Sequence, residues 1–420
     1  MKLALLAIAA ATALLGSAAP KLHLLANAPQ GGTINTDVAF WGHLAFEGSY
    51  DGVRVVDVSN PSAPVQVGSL ACHAPQNDVT VWGHLVFLSV DRPQTSAGCD
   101  SQDEQIPRDP AGFEGIRIVD VSNPASPQLV ASVPTDCGSH TNTLIPDVAH
   151  NRVLLYVSSY ALGPGPHCGK GAEADPLHRK ISIVEVPLDA PQSAKVIATP
   201  RVDAPEWIPA PHVSAGIGCH DVTVFLPLHL AAASCMSEGQ IWDIRNPLAP
   251  RVLFHIRNKQ VFFWHSAAFT WDGKYVVFGD EDFPGSCNDP THDFSGRIWI
   301  YRTASPTAPI ASFTIPRKQP HEVCSAHLFS FVPVKGRYLL ASSWYEGGTD
   351  VIDMTDPKKP HELASFDPEA NDWAAYWYDG SVYASDFNRG LDVLGLTGLD
   401  VSAARRFGHF NPQTQEIVIR

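Results

Sequence analysis

Four histidines, His140, His220, His265 and His327, share one register: each opens the corresponding strand in four consecutive copies of a repeated unit. Neutral imidazole is a good ligand for iron, copper, zinc and manganese. In a closed circular repeat, equivalent positions form a ring, so residues far apart in the chain converge on one axis and build a metal site without a local motif. One histidine at a strand end ordinarily bonds a nearby carbonyl. Four in one register point instead to a mononuclear divalent transition metal, with an anionic or aromatic ligand as the alternative. Glu281, in the run Gly279-Asp-Glu-Asp282, is expected on the same face as His265. There a carboxylate serves as general base, further ligand or orienting partner of an imidazole, and a solvated loop acid is its ordinary alternative.

The elements that position these residues show in the repeat itself. Gly52-Val-Arg-Val-Val-Asp-Val-Ser-Asn-Pro61 returns almost unchanged as Gly115-Ile-Arg-Ile-Val-Asp-Val-Ser-Asn-Pro124. Weaker copies at 180–186, 240–247, 297–303, 349–357 and 390–397 bring the number to seven. Each copy alternates β-branched with polar residues and most end in a turn signal, so each reads as a strand with a sharp stop. Between copies lie two strand-like runs joined by Trp-Gly or Asp-Gly, the flexible pair a hairpin needs. No long segment carries apolar residues at helical spacing. Four antiparallel strands per unit and seven units predict an all-β, seven-bladed β-propeller, with strands A to D numbered outward from the axis.

Aligned on their turns, the A strands give an axial ring of Thr36, Asn77, His140, His220, His265, His327 and Asp372. Asp221 follows His220 directly and recurs as Asp78 and Asp37, which reads as a structural acid of the repeat. Trp264, Trp344, Tyr345 and Trp373 are candidates for pocket walls or for core packing.

Residues 1–19 have the basic start, apolar centre and small-residue end of a secretory signal peptide. The chain then divides into a segment at 20–34, the propeller at 35–410 and a tail at 411–420. No run reaches the length of a membrane span, so an exported, secreted or periplasmic protein is expected. A net charge of −14 argues against nucleic acid as partner.

Eight cysteines in an exported chain read as disulfides. Cys72, Cys137, Cys219 and Cys324 lie at loops entering A strands; Cys99, Cys168, Cys235 and Cys287 lie at the ends of B strands. Both loop types emerge on one propeller face, which favours the sequential pairing Cys72–Cys99, Cys137–Cys168, Cys219–Cys235 and Cys287–Cys324. The long insertions at 91–114, 160–179, 201–218 and 281–296 share that face. Loops concentrated on one side of a rigid scaffold carry function, so a small-molecule or glycan ligand, or a protein partner, is expected there.

Val55-Val-Asp-Val-Ser-Asn-Pro61 and Ile118-Val-Asp-Val-Ser-Asn-Pro124 resemble the repeat of the secreted bacterial LVIVD-repeat propellers. The likeness extends through Ser139-His-Thr-Asn-Thr143, Cys219-His-Asp221, Trp264-His-Ser-Ala267, Trp344-Tyr-Glu-Gly-Gly348, Ala374-Ala-Tyr-Trp-Tyr-Asp-Gly380 and Arg389-Gly-Leu-Asp-Val393. It covers nearly all of the chain beyond the apolar N-terminus. The resemblance implies a seven-bladed propeller at a cell surface or in the periplasm, and it implies no particular reaction. At the level of fold alone, the four-histidine ring is similar to that of carotenoid-cleaving oxygenases, and axial histidines beside a base are similar to those of some polysaccharide lyases. The selenium-binding, methanethiol-oxidising propellers are a further metal-using comparison.

The sequence therefore leads to an exported metalloprotein with one ion on His140, His220, His265 and His327 and with Glu281 as candidate base. Iron or copper would imply oxidative chemistry, slightly favoured by the histidine count; zinc or manganese would imply a lyase or hydrolase. The competing expectation is a non-catalytic surface propeller that binds a protein, glycan or metal through its disulfide-braced face.

Overall fold

The computed structural model describes residues 19–106, 109–159, 165–168, 178–202, 218–282, 287, 296–317 and 323–420. They form a seven-bladed β-propeller of four antiparallel strands per blade. From the first blade to the seventh, the inner strands are Asn35–Trp41, Gln76–Trp82, Thr141–Asp147, Asp221–Phe225, Trp264–Phe269, Leu328–Phe331 and Asp372–Tyr378. Among the described residues no helix is long and apolar enough to cross a membrane.

The sequence of the repeat explains its shape. Asp57 and Asp120 end the third strands of the first two blades and accept the amides of Ser59 and Ser122 at 2.8 and 2.7 Å. Asn60 and Asn123 then accept the amides two residues on. Two successive side-chain turns thus replace the ladder bonds and stop the strand. Val58 and Val121 next donate to the carbonyls of His43 and His84, which makes those two histidines turn residues. Gly52, which starts its strand, and the equivalent Gly115 have φ 138° and 147°, and a Cβ on either would meet a carbonyl oxygen of the fourth strand at 2.1 or 2.2 Å.

The alternating apolar residues pack between blades: Phe46, Val55, Val79, Val81, Val86 and Leu88 form one such layer. Each fully buried side chain of this size contributes about 1.5–3 kcal/mol relative to exposure. The arginine of the repeat adds a polar tie. Arg54 is buried, pairs with Glu47 at 2.5 Å and donates to the carbonyls of Ala28 and Pro29. Arg117 donates to the carbonyls of Cys72, His73, Ala97 and Gly98 and to Ser101 Oγ.

Both ends of the chain join the propeller. Lys21–Pro29 is the outer strand of the seventh blade, paired antiparallel with Gly390–Thr397, so the ring closes through the N-terminal segment. The residues expected to be a tail enter the lower end of the axial channel. Thr414–Gln415 pairs in parallel with the fourth inner strand, and Asn411, Gln413, Thr414 and Gln415 are all buried. Their side chains bond the channel-facing backbone of neighbouring blades. Asn411 takes both polar groups of Val81, Gln415 both of Phe269, and Thr414 Oγ1 the carbonyl of Leu144. A strand edge that faces the axis has no partner strand, and these amides satisfy it.

Candidate metal centre

The disulfides lie on the face opposite that plug. Cys72 joins Cys99, Cys137 joins Cys168, Cys219 joins Cys235 and Cys287 joins Cys324, in sequential order. Four bridges fit an oxidising compartment. Three of them anchor the residues just before a ring histidine: Cys219 precedes His220, while Cys137 and Cys324 each sit three positions before His140 and His327.

The four histidines form one continuous row. Ring centroids are 4.2 Å apart for His140–His220, 4.0 Å for His220–His265 and 4.3 Å for His265–His327. His220, His265 and His327 are buried. Hydroxyl groups of the inner strands hold the backbone beneath them: Thr141 donates to the carbonyl of His220 at 3.0 Å and Ser266 to that of His327 at 2.5 Å.

Two imidazoles are aimed by the next blade. His220 Nδ1 lies 3.0 Å from the carbonyl oxygen of His265, and His327 Nδ1 hydrogen-bonds the carbonyl of Trp373. His265 is turned toward the backbone of His327 in the same sense, although its buried Nδ1 finds no partner within hydrogen-bond distance among the described residues. A carbonyl only accepts, so in His220 and His327 Nδ1 carries the proton and the ring lone pair lies on Nε2. His140 differs: its Nδ1 is 3.0 Å from Asp91 Oδ2, a buried carboxylate, and its Nε2 is 3.4 Å from Gln76 Nε2.

Burial, reinforced by the neighbouring imidazoles of the row, holds His220 and His265 well below the usual imidazole range; burial takes His327 down to about 3. All three are neutral at physiological pH, the protonation state in which imidazole binds a metal.

Glu281 joins this group. Its Oε2 is 3.8 Å from His265 Nε2, and ligand atoms of His220, His265 and Glu281 lie within 4.8 Å of one another. Burial raises the Glu281 carboxyl, against the hydrogen bond that Tyr345 Oη donates to Oε1 at 2.5 Å. Tyr345 itself sits at φ 50°, a region that disfavours aromatic residues. It is fixed there by the turn in which Gly348 N and Asp372 N both donate to its carbonyl. Its ring lies 4.4 Å from that of His327.

A second group of ligand-type residues, Asp136, Cys137 and His178, is spent otherwise. Cys137 is in a disulfide and Asp136 pairs with Lys180.

The structure revises the ring at one blade. The carbonyl that receives His327 Nδ1 belongs to Trp373, so Trp373 holds the position equivalent to His265. Asp372 lies one residue earlier, equivalent to Trp264, and accepts from Thr349 Oγ1. A bulge after Asp372, like that after Trp264, shifts the register by one. Trp264 and Trp344 are buried at 1% and 0% exposure and belong to the core, whereas Trp373 packs edge-on against His327. Asp91 has no signal in the sequence, because it lies in the far end of the strand Leu85–Gln94, beyond the part that the other blades repeat. Of the insertions, most of 160–179, 201–218 and 281–296 lies outside the described residues.

Comparison with known proteins agrees with this architecture. The LVIVD repeat model matches residues 36–71 and 111–135. No curated protein matches the chain. Among solved structures, the WD40 β-propeller domain of Doa1 is similar at 10% identity, with a TM-score of 0.55 over 91% of this chain and 99% of that one. The Dos1 propeller is similar at 8% identity, with a TM-score of 0.49 over 92% of this chain and 80% of that one. Identity this low carries fold and nothing about activity. The chain is a seven-bladed β-propeller that carries the LVIVD repeat in its first two blades.

Proposed function

We propose that this chain is an exported metalloprotein in which one divalent transition metal ion is held at the axial histidines. The observation that supports this best is the common aim of His220 and His327, each with Nδ1 bonded to a backbone carbonyl of the next blade, in a row where ligand atoms of His220, His265 and Glu281 lie within 4.8 Å of one another. Ordinary strand capping would leave the outer nitrogens scattered; this arrangement presents Nε2 of adjacent rings to one place. His220, His265 and Glu281 would provide the closest set, with His140 and His327 at its flanks.

Two imidazoles and one carboxylate are donors suited to iron, zinc or manganese, and open positions beside such a set are characteristic of oxidative non-haem iron centres. A bound ion of this kind supplies Lewis acidity or redox chemistry. For that reason the reading leans to an oxidase- or oxygenase-like enzyme over a lyase or hydrolase, with Glu281 as ligand first and base second. Export is supported by the apolar N-terminus and the four disulfides.

The test is elemental analysis of untagged protein made in an oxidising compartment, beside the His220→Ala/His265→Ala variant. About one equivalent of iron, copper, zinc or manganese, lost in the variant, is the expected result. Absence of metal from both proteins after reconstitution would leave a non-catalytic propeller, binding a glycan or protein at its disulfide-braced face, as the better account.

A further inference from the structure

The face opposite the disulfides carries a cleft between the fifth and sixth blades. Its walls are the turns that join the first two strands of each blade, at 270–274 and 332–338, and Ile419 and Arg420 of the C-terminal segment close one side. That segment is fixed there, because Ile419 N donates to the carbonyl of Trp271 at 2.8 Å. The cleft encloses about 370 Å³, within the range of roughly 300–1,000 Å³ that small-molecule sites occupy.

Two properties of the lining point to one kind of occupant. The first is charge. Lys274, Lys335, Arg337 and Arg420 border the cleft beside a single carboxylate side chain, Asp272, in a chain whose net charge is −14. Asp272 is already satisfied: Oδ2 accepts from Tyr338 Oη and Lys274 Nζ, both at 2.8 Å, and Oδ1 accepts from Thr270 Oγ1 at 2.8 Å. Arg337 is likewise held, 2.9 Å from Asp353 Oδ2. Lys335 and Arg420 are exposed, and among the described residues neither pairs with a carboxylate. Two uncompensated cations at a recess with low-dielectric walls focus a field that draws an anion. The second property is the floor. Trp271 and Val334, at 6% and 8% exposure, make it apolar, so a bare, fully hydrated ion would leave that surface unused.

We propose that this cleft binds a small organic anion, with its carboxylate or phosphate head at Lys335 and Arg420 and an apolar, ring-sized body on the floor of Trp271 and Val334. Guanidinium matches either head through paired hydrogen bonds, while the lysine ammonium adds a point charge. The body removes apolar surface from water on both sides of the contact. The site lies on the face away from the histidine row, so it is separate from the axial metal centre.

The test is isothermal titration calorimetry on the full chain with four probes: benzoate and phenyl phosphate, which carry both head and body, benzyl alcohol, which lacks the charge, and inorganic phosphate, which lacks the body. Wild type is compared with Lys335→Gln/Arg420→Gln and with His220→Ala/His265→Ala. Both substituted cations are exposed, so the first variant should keep the wild-type thermal midpoint. Saturable binding of benzoate or phenyl phosphate is expected in wild type and in the double-histidine variant alike. The tighter of the two identifies the head. Lys335→Gln/Arg420→Gln should bind it roughly tenfold more weakly, and benzyl alcohol and inorganic phosphate should each fall at least about as far behind it in wild type. The proposal is overturned if neither organic anion binds, or if Lys335→Gln/Arg420→Gln binds as wild type does. Benzyl alcohol or inorganic phosphate binding as tightly as the organic anion would overturn it too, by reducing the cleft to an apolar recess or a bare charge. Binding lost only in the double-histidine variant would place the anion at the axis instead. Because the cleft variant leaves the histidines intact, failure here and failure of the metal centre are read separately.

Discussion

His220 Nδ1 lies 3.0 Å from the backbone carbonyl of His265, so one blade fixes the ring of the blade before it through a bond that only one tautomer can make. The same relationship joins His327 to Trp373. Both rings are therefore expected as Nδ1–H tautomers at neutral pH, with Nε2 unprotonated. Nitrogen-15 NMR of histidine-labelled protein checks this directly. An Nε2–H signal from His220 would show the ring turned the other way and remove the basis for a ligand role.

Tyr345 is the residue that orients Glu281. Its hydroxyl donates to Oε1 at 2.5 Å and leaves Oε2 on the side of His265. Tyr345→Phe removes that hydrogen bond but keeps the ring packed on His327. Loss of such an outer partner weakens metal binding by roughly 10–100-fold in known centres, and that range is expected here, with an unchanged thermal midpoint in the metal-free protein. Competition with a chromophoric chelator measures it. An affinity equal to wild type would mean that Glu281 is held by other groups or takes no part.

The extent of this that is legible in the sequence follows from where the information resides. The strands of the repeat, the row of histidines and the order of the cysteines are local or periodic features, so each could be aligned copy against copy. Trp373 was obscured by a single bulged residue, which moves a ring position by one without changing the pattern around it. Asp91 lies in the far end of the strand Leu85–Gln94 and Tyr345 in the turn after Leu339–Ser343, where no register exists to compare. The termini were harder still: Lys21–Pro29 pairs with Gly390–Thr397, a partner at the other end of the chain. Asn411, Gln413 and Gln415 look polar and solvent-loving in sequence, yet they are buried because an axial strand edge offers them backbone partners.

Cys219–Cys235 spans 16 residues and anchors the residue before His220. Closure of a loop of that size stabilises by about 3 kcal/mol on the chain-entropy account. Cys219→Ser/Cys235→Ser is expected to lose roughly that amount in urea unfolding and to release its metal faster than wild type. Cys72→Ser/Cys99→Ser, whose bridge spans 27 residues next to no histidine of the row, should lose comparable stability and keep its metal. Equal metal loss in the two would mean that the bridges act on global stability only.

Glu114 gives the protein a pH dependence of definite sign. It is 3% exposed, and burial, helped by the charges of Asp136 and Asp91, raises its carboxyl to about 7 against the amide of His167 that it accepts at 3.1 Å. The folded chain thus keeps a proton that the unfolded chain releases near 4.5. The contribution of this group is fully present below pH 4.5, declines above it and is gone once pH has passed about 7. Glu114→Gln keeps an acceptor for the His167 amide and cannot ionise. Its stability should match wild type near the unfolded value and exceed it on the alkaline side, by up to about 3 kcal/mol. Denaturant unfolding across that range decides it, and a constant difference at all pH values would exclude Glu114 as the source.

Gln415 tests whether the C-terminal segment is part of the fold. Its amide accepts from Phe269 N at 3.0 Å and donates to Phe269 O at 2.9 Å, as a neighbouring strand would. Removing it leaves both groups buried at the axis, where an unsatisfied backbone group costs about 1–3 kcal/mol. Gln415→Ala should therefore destabilise by at least that much, and Gln415→Glu by more, because a carboxylate cannot donate to the Phe269 carbonyl. Truncation after Phe410 should exceed either single change, since it also strips Val81, Leu144 and Val224 of their partners. Hydrogen exchange at Phe269, Val81 and Val224 reads the same event locally: these amides should be among the slowest in wild type and exchange readily in the truncated chain. Slow exchange that survives truncation would show that the channel closes without its plug. In that case the buried amides would be passengers of the fold rather than the strand-edge partners that their geometry describes.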